Sequence, residues 1–297
     1  MVTVLDDLVF PEGPRWHAGR LWFSDIHGNR VLAHEPGGKT EVVAELEQPS
    51  GLGFLPDGSV LVATMRSKNI MRVQAGRAHV HANLSPLPGD FLNDMIVDSE
   101  GRAYVGCRYH HDPGATRAGT TPDCIVAVEP DGAYAVAAGD MIGPNGTILT
   151  PDQATLIVAE THAFRLTAFD RAGDGTLSRR RLFAQLLPGT HPDGICLDAE
   201  GAVWVATGSS GELLRVAEGG PILERRSLPD RWVTACVLGG EDRKTLFVMT
   251  AAITVRSLLA LMAAIPEDYD DHRRWARSLS RGRVEALAVE VAGAGSP

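Results

Sequence analysis

Six segments of this chain open alike and run alike. They start at Glu12-Gly13-Pro14, Ser50-Gly51-Leu52, Asn93-Asp94-Met95, Asn145-Gly146-Thr147, Asp193-Gly194-Ile195 and Thr234-Ala235-Cys236, and each passes through a turn into an alternating apolar run. The runs match too, as in Gly19-Arg20-Leu21-Trp22-Phe23, Gly58-Ser59-Val60-Leu61-Val62 and Gly201-Ala202-Val203-Trp204-Val205. Polar pairs such as Pro56-Asp57, Ser99-Glu100 and Ala199-Glu200 precede them, which is hairpin-turn chemistry. Start to start, the copies are 38, 43, 52, 48 and 41 residues apart. A period of this length built from short strands predicts propeller blades of about four strands each. No copy carries a 3.6-residue period, so helical solenoids are excluded. The expected fold is all-β, a six-bladed β-propeller.

Two stretches interrupt the repeat. Gly106 to Pro122 is rich in Gly, Pro and Thr and is expected to form a loop at one rim. Val255 to Leu279 carries leucines and arginines at roughly helical spacing ahead of a strand from Val284 to Val291, which predicts a helical insertion near the C-terminus that caps or flanks the disc. Neither has linker composition, so residues 1–297 are expected to form a single domain.

A chain of 297 residues removes roughly 75% of its unfolded surface from water. It needs no disulfide or metal merely to stay folded. With 44% apolar and 22% charged residues, 32 Gly and 18 Pro, it has the profile of a turn-dense globular protein and not of a disordered one. The net charge is -9, and the one basic run, Arg179-Arg180-Arg181, reads as a solvated strand edge, so no nucleic acid partner is expected. Met1 to Phe10 carries Asp6 and Asp7 and does not read as a secretory signal. The longest apolar run, Ser257 to Ile265, falls far short of the ~20 residues that cross a bilayer. A cytoplasmic location with no membrane partner is expected; oligomeric state is not legible. Cys107, Cys124, Cys196 and Cys236 are widely spaced with no CxxC pair and read as buried thiols.

In a propeller the innermost strand of each blade lines a central channel, so one repeat position recurs around a ring. The residues opening the six units are Glu12, Ser50, Asn93, Asn145, Asp193 and Thr234, and every one offers oxygen. This hard-oxygen set suits Ca²⁺, Mg²⁺ or Mn²⁺ better than tetrahedral zinc. Carboxylates gathered in a channel repel one another unless a cation lies between them. The competing reading is that these are turn residues, since Asn-Gly and Asp-Gly form turns in their own right. His191, two residues before Asp193, is a candidate substrate contact. His162 and the pair His110-His111 are candidate ligands or acid/base groups, with a solvated loop as the alternative for the pair. Gly208-Ser209-Ser210-Gly211 lacks GxSxG spacing, and no phosphate loop or GxGxxG is present, which speaks against serine nucleophiles and nucleotide cofactors.

Glu12-Gly13-Pro14 with Trp16, Asn93-Asp94, Pro144-Asn145-Gly146 followed by Thr150-Pro151-Asp152, and Pro192-Asp193-Gly194 followed by Asp198, Gly201 and Trp204 resemble the senescence marker protein, gluconolactonase and luciferin-regenerating enzyme family. The resemblance runs from about Leu8 to Val291. It implies a six-bladed propeller with one divalent metal ion at the channel mouth. Ca²⁺ is the first choice, while Mn²⁺, Zn²⁺ and Fe²⁺ also occur among relatives. It implies Glu12, Asn145 and Asp193 as metal ligands, Asp193 as general base, and Asn93 as the residue touching the substrate or a water on the metal. Sugar-lactonase members tend to carry an arginine two residues before that asparagine, where this chain has Phe91, whose ring cannot hydrogen-bond hydroxyls as a guanidinium does. Met65, Phe91, Met141 and Trp232 are candidates for a more apolar pocket, with core positions as the alternative.

The expected activity is a metal-dependent hydrolysis that opens a lactone or related ester. Phosphotriester hydrolysis or a biosynthetic cyclisation or ring opening at the same site is one alternative. A non-catalytic scaffold with a structural metal is another.

Overall fold

The computed structural model describes residues 1–109, 123–265 and 267–295. It contains six antiparallel four-stranded sheets. Five are built from consecutive strands, and their innermost strands are Pro11–His17, Pro49–Phe54, Phe91–Val97, Pro144–Leu149 and Ile195–Leu197 for blades one to five. Blade six runs outward from Trp232–Gly239 through Thr245–Ile253 and Ser280–Ala288, and its outermost strand is Val2–Leu8 from the N-terminus. That antiparallel pairing, with Val2 opposite Ala286 and Leu8 opposite Gly282, fastens the ring shut.

Burial follows position in the blade. Inner and second strands such as Pro144–Leu149 and Val60–Thr64 are buried along their whole length, because both faces of each sheet are covered by neighbouring blades. Outer strands such as Arg77–Asn83 and Leu177–Gln185 are mostly exposed and carry charge, which blunts a free edge. Arg180 and Arg181 lie on such an edge, paired with Glu160 and Asp170. Six apolar clusters hold the blades together, one between each adjacent pair. Between blades six and one, for example, Phe247 stacks on Trp16 with ring centroids 5.6 Å apart.

Five of the six repeat-opening residues, all but Asp193, sit at a recurring irregularity. The pairing of the innermost strand to the second slips between Glu12 and Arg15, Pro49 and Leu52, Leu92 and Met95, Pro144 and Thr147, and Val233 and Ala235. A bulge at this point re-aims a side chain out of the sheet toward the channel. It also brings adjacent inner strands very close. A Cβ on Gly146 would lie 2.4 Å from the Asp193 carbonyl oxygen, so the glycine after the ring residue is required by the approach of the next blade. The turn propensity of Asn-Gly is therefore not what places it here.

Two helices, α1 (Val255–Ala263) and α2 (Tyr269–Leu279), lie between the second and third strands of blade six, where one helical stretch was expected. Thr254 and Asp268 cap them through their side chains. Arg273 ties α2 to blade one by donating to the Gly28 carbonyl at 2.9 Å and pairing with Glu45 at 2.8 Å. The rim loop expected from Gly106 to Pro122, including His110 and His111, falls largely outside the described residues. Among the described residues no helix is long and apolar enough to cross a membrane. The four cysteines are buried, and the Cys196 and Cys236 sulfurs approach to 3.6 Å between blades five and six.

Candidate functional site

A cavity of about 270 Å³ opens on the channel, and Glu12, Asn93, Asn145 and Asp193 all line it. Four of the six ring positions therefore converge. The other two do not reach it. Ser50 is buried outside the lining, and the Thr234 hydroxyl donates to the Pro11 carbonyl at 2.6 Å, stitching blade six to blade one. Short side chains at these two positions are absorbed by blade-to-blade packing.

The four convergent groups are all buried. Asn145 Nδ2 donates to Asp193 Oδ1 and lies 3.2 Å from Thr161 Oγ1, whose own hydroxyl donates to the Pro192 carbonyl. Asn93 Nδ2 donates to the Pro144 carbonyl at 3.2 Å, and Glu12 Oε2 accepts from the Gly13 N–H at 2.8 Å. Burial, followed by repulsion from Asp193 and Asp94, holds the Glu12 carboxyl well above the ordinary range. Burial likewise pushes Asp193 up to about 7, although Arg108 and hydrogen bonds from Asn145 and Trp232 pull the other way. The site thus contains two interacting carboxyl groups at which burial outweighs the partners that favour the anion. Asp94 is compensated: Arg15 Nη2 meets its Oδ1 at 2.9 Å. Since Arg15 belongs to blade one and Asp94 to blade three, this pair spans part of the channel.

Phe91 lines the cavity, and strand pairing sets it directly opposite Arg108. The Arg108 guanidinium carbon lies 5.4 Å from the Phe91 ring centroid, and Nη2 is 2.9 Å from His162 Nε2. An arginine therefore does line the cavity, from the strand adjoining Phe91, and sequence reasoning missed it. The signal was available only as register, Arg108 being the cross-strand partner of Phe91. His27 also lines the cavity, and its ring is pulled down to about 3, by burial first and then by His272 and Arg66.

Met65 and Trp232 line the cavity as candidates for an apolar pocket, but Met141 is fully buried in the core between blades three and four. His162 lines it from the turn at Thr161–Ala163. His191 does not: its ring packs edge-on against Phe164 at 5.1 Å, away from the described lining. From α1, Leu258, Leu259 and Met262 complete the wall. Among the described residues no three His, Cys, Asp or Glu side chains gather as a metal cluster, so any cation here depends on two carboxylates and carboxamide oxygen.

Residues 10–252 match the model of the SMP-30/gluconolactonase/LRE-like region. The chain is 31% identical over 248 residues to pentonolactonase XacC of Haloferax volcanii, covering 81% of each protein. It is 26% identical to 6-deoxy-6-sulfogluconolactonase of Pseudomonas putida, covering 82% of this chain and 84% of that one. Among solved structures, a gluconolactonase from Xanthomonas campestris superposes with a TM-score of 0.68 at 26% identity, over 83% of this chain and 84% of that one.

Proposed function

The chain belongs to the SMP-30/gluconolactonase/LRE-like family, and from that premise we propose that it is a divalent-metal-dependent hydrolase that opens a lactone or related ester in a single propeller domain. The observation that carries this reading is that two buried carboxyl groups, Glu12 and Asp193, line one cavity with Asn93 and Asn145, and that Asp193 adds to the cost of ionising Glu12. Two such groups stay neutral or share a cation. The donors are oxygens, which fits a hard divalent ion, with Ca²⁺ first and Mn²⁺, Zn²⁺ and Fe²⁺ as the alternatives. Glu12, Asn145 and Asp193 would hold it. When bound, a divalent ion supplies Lewis acidity, polarising the carbonyl and stabilising the oxyanion that develops as water attacks.

The remaining roles fall to the chain itself. Asp193, with a carboxyl near the neutral range, is the group we assign to take the proton from the attacking water. Its hydrogen bond from Asn145 fixes the carboxylate and favours its ionised form. Asn93, tied by one amide hydrogen to the Pro144 carbonyl, is assigned to orient the substrate oxygen, and Phe91 to pack against the substrate. The names of the similar proteins, both lactonases of sugar-derived rings, support a lactone as the substrate class. We read α1 and α2 as an insertion in the sixth repeat that borders this cavity.

The test is hydrolysis of glucono-, pentono- and simple γ-lactones by protein stripped with a chelator and then reloaded with single metals. Loss on stripping and recovery on reloading is expected. Full turnover by metal-free protein overturns the mechanism.

A further inference from the structure

The wall contributed by α1 is apolar, and its neighbours are apolar too. Leu258 and Met262 are one helical turn apart and Leu259 and Met262 three residues apart, so the three share a face. Leu258 packs on a cluster that includes Phe10, Ile26, Met65 and Phe91, which borders the same cavity. Leu259 nonetheless remains 57% exposed, an apolar side chain at the cavity with nothing over it. The helix is held in place independently of this face. Leu261, beside Leu258 on the helix surface, packs into a separate cluster with Val9 and Ala276, and Arg66 donates to the Met262 carbonyl. Elsewhere the lining includes polar groups, among them Arg108, Thr161 and Asn93.

A ligand that fills this space needs two unlike ends. Hydroxyls turned toward Leu258, Leu259 and Met262 would lose water and gain no hydrogen bond from those three side chains, whereas hydrocarbon there would leave water at a gain. Resting on the lactone-hydrolase reading above, we infer that the substrate is a small lactone bearing one apolar alkyl or aryl substituent, seated against Leu258, Leu259 and Met262, and not a polyhydroxylated ring. The helix α1 is the specificity element, and the carbonyl end faces the oxygen donors.

The experiment compares metal-loaded wild type with Leu259→Gln and with Leu258→Gln/Met262→Gln. Substrates are γ-butyrolactone, γ-valerolactone, γ-hexalactone and γ-heptalactone, with glucono-δ-lactone as the polyhydroxylated competitor. In wild type, kcat/KM should rise about fourfold for each methylene until the cavity is full. It should exceed that for glucono-δ-lactone by the longest chain. Both variants should flatten the dependence on chain length. Leu259→Gln, at an exposed position, keeps the test alive if the double variant fails to fold. Titration calorimetry with the matching 5-alkyl-2-pyrrolidinones, which are not hydrolysed, reads the same slope as affinity. Hydrolysis with no chain-length dependence, or with glucono-δ-lactone preferred, overturns the inference and leaves the hydrolase reading intact. If no lactone is turned over, the hydrolase reading falls, and the pyrrolidinone slope alone decides: a slope lost in the variants supports apolar seating, and a flat one overturns it.

Discussion

Asp25, Asp94, Asp98, Glu160 and Asp198 are buried and each is held by arginine, whereas Glu12 and Asp193 are comparably buried and, among the described residues, have no arginine in ion-pair contact. The consequence shows in proton affinity. Arg165, Thr167 and Arg180 outweigh burial at Glu160 and draw its carboxyl below the usual value, while burial dominates at Glu12 and Asp193 and drives both upward. The first group locks blade corners and channel. The second group stores electrostatic cost at one place, the cavity, and a protein that carries such a cost has a use for it.

The comparison breaks most decisively on activity. With saturating metal, Asp193→Asn should lower lactone kcat/KM on the order of 10³-fold or more, since both a ligand charge and the proton acceptor are lost; a pH-stat assay reads this, and a variant within tenfold of wild type refutes the division drawn above. Next in size is stability. Asp198→Asn removes the buried carboxylate 2.7 Å from Arg215 Nε and leaves that arginine to the more exposed Glu200, and should cost about 3 kcal/mol, the low end for a broken buried pair, in a denaturant titration.

In chelator, Asp193→Asn should do the opposite, and the sign follows from linkage. A carboxyl raised from 3.8 to about 7 lends the folded state stability that is full below about 3.8 and is gone as pH rises through about 7. The variant should therefore melt with wild type near pH 4 and above it near pH 7.5, and thermal melts across that window measure the gap. Equal melting at both ends would mean that Asp193 carries no stored cost. Adding Ca²⁺ at a hundredfold its dissociation constant should stabilise wild type by about 2.7 kcal/mol and Glu12→Gln by much less. The smallest effect belongs to the ring positions that miss the cavity. Thr234→Val removes one hydroxyl bond to Pro11 and should cost about 1 kcal/mol with turnover unchanged.

The repeat was legible because each blade is local: strand, turn and strand lie within one period, and alternation reports them directly. The ring position was legible for the same reason, and four of its six members, Glu12, Asn93, Asn145 and Asp193, do line one cavity. What escaped was non-local. Val2–Leu8 has no partner in its own neighbourhood of the chain, so nothing near it announces that it completes blade six. Arg108 escaped because its relation to Phe91 is a matter of strand register across a hairpin. Ser50 and Thr234 share the pattern of the site residues without sharing the reach of their side chains. His191 and Met141 are close in sequence to site residues yet point elsewhere, and only packing decides that.

The clasp between Val2–Leu8 and Ser280–Ala288 has a consequence in time. Val2 leaves a ribosome about 280 residues ahead of Ala286. At about 5 to 20 residues per second the opening strand waits for its mate for something like 15 seconds to a minute. Through that interval five blades are free to form while the torus stays unlatched, and the nascent chain carries a bare hydrogen-bonding edge.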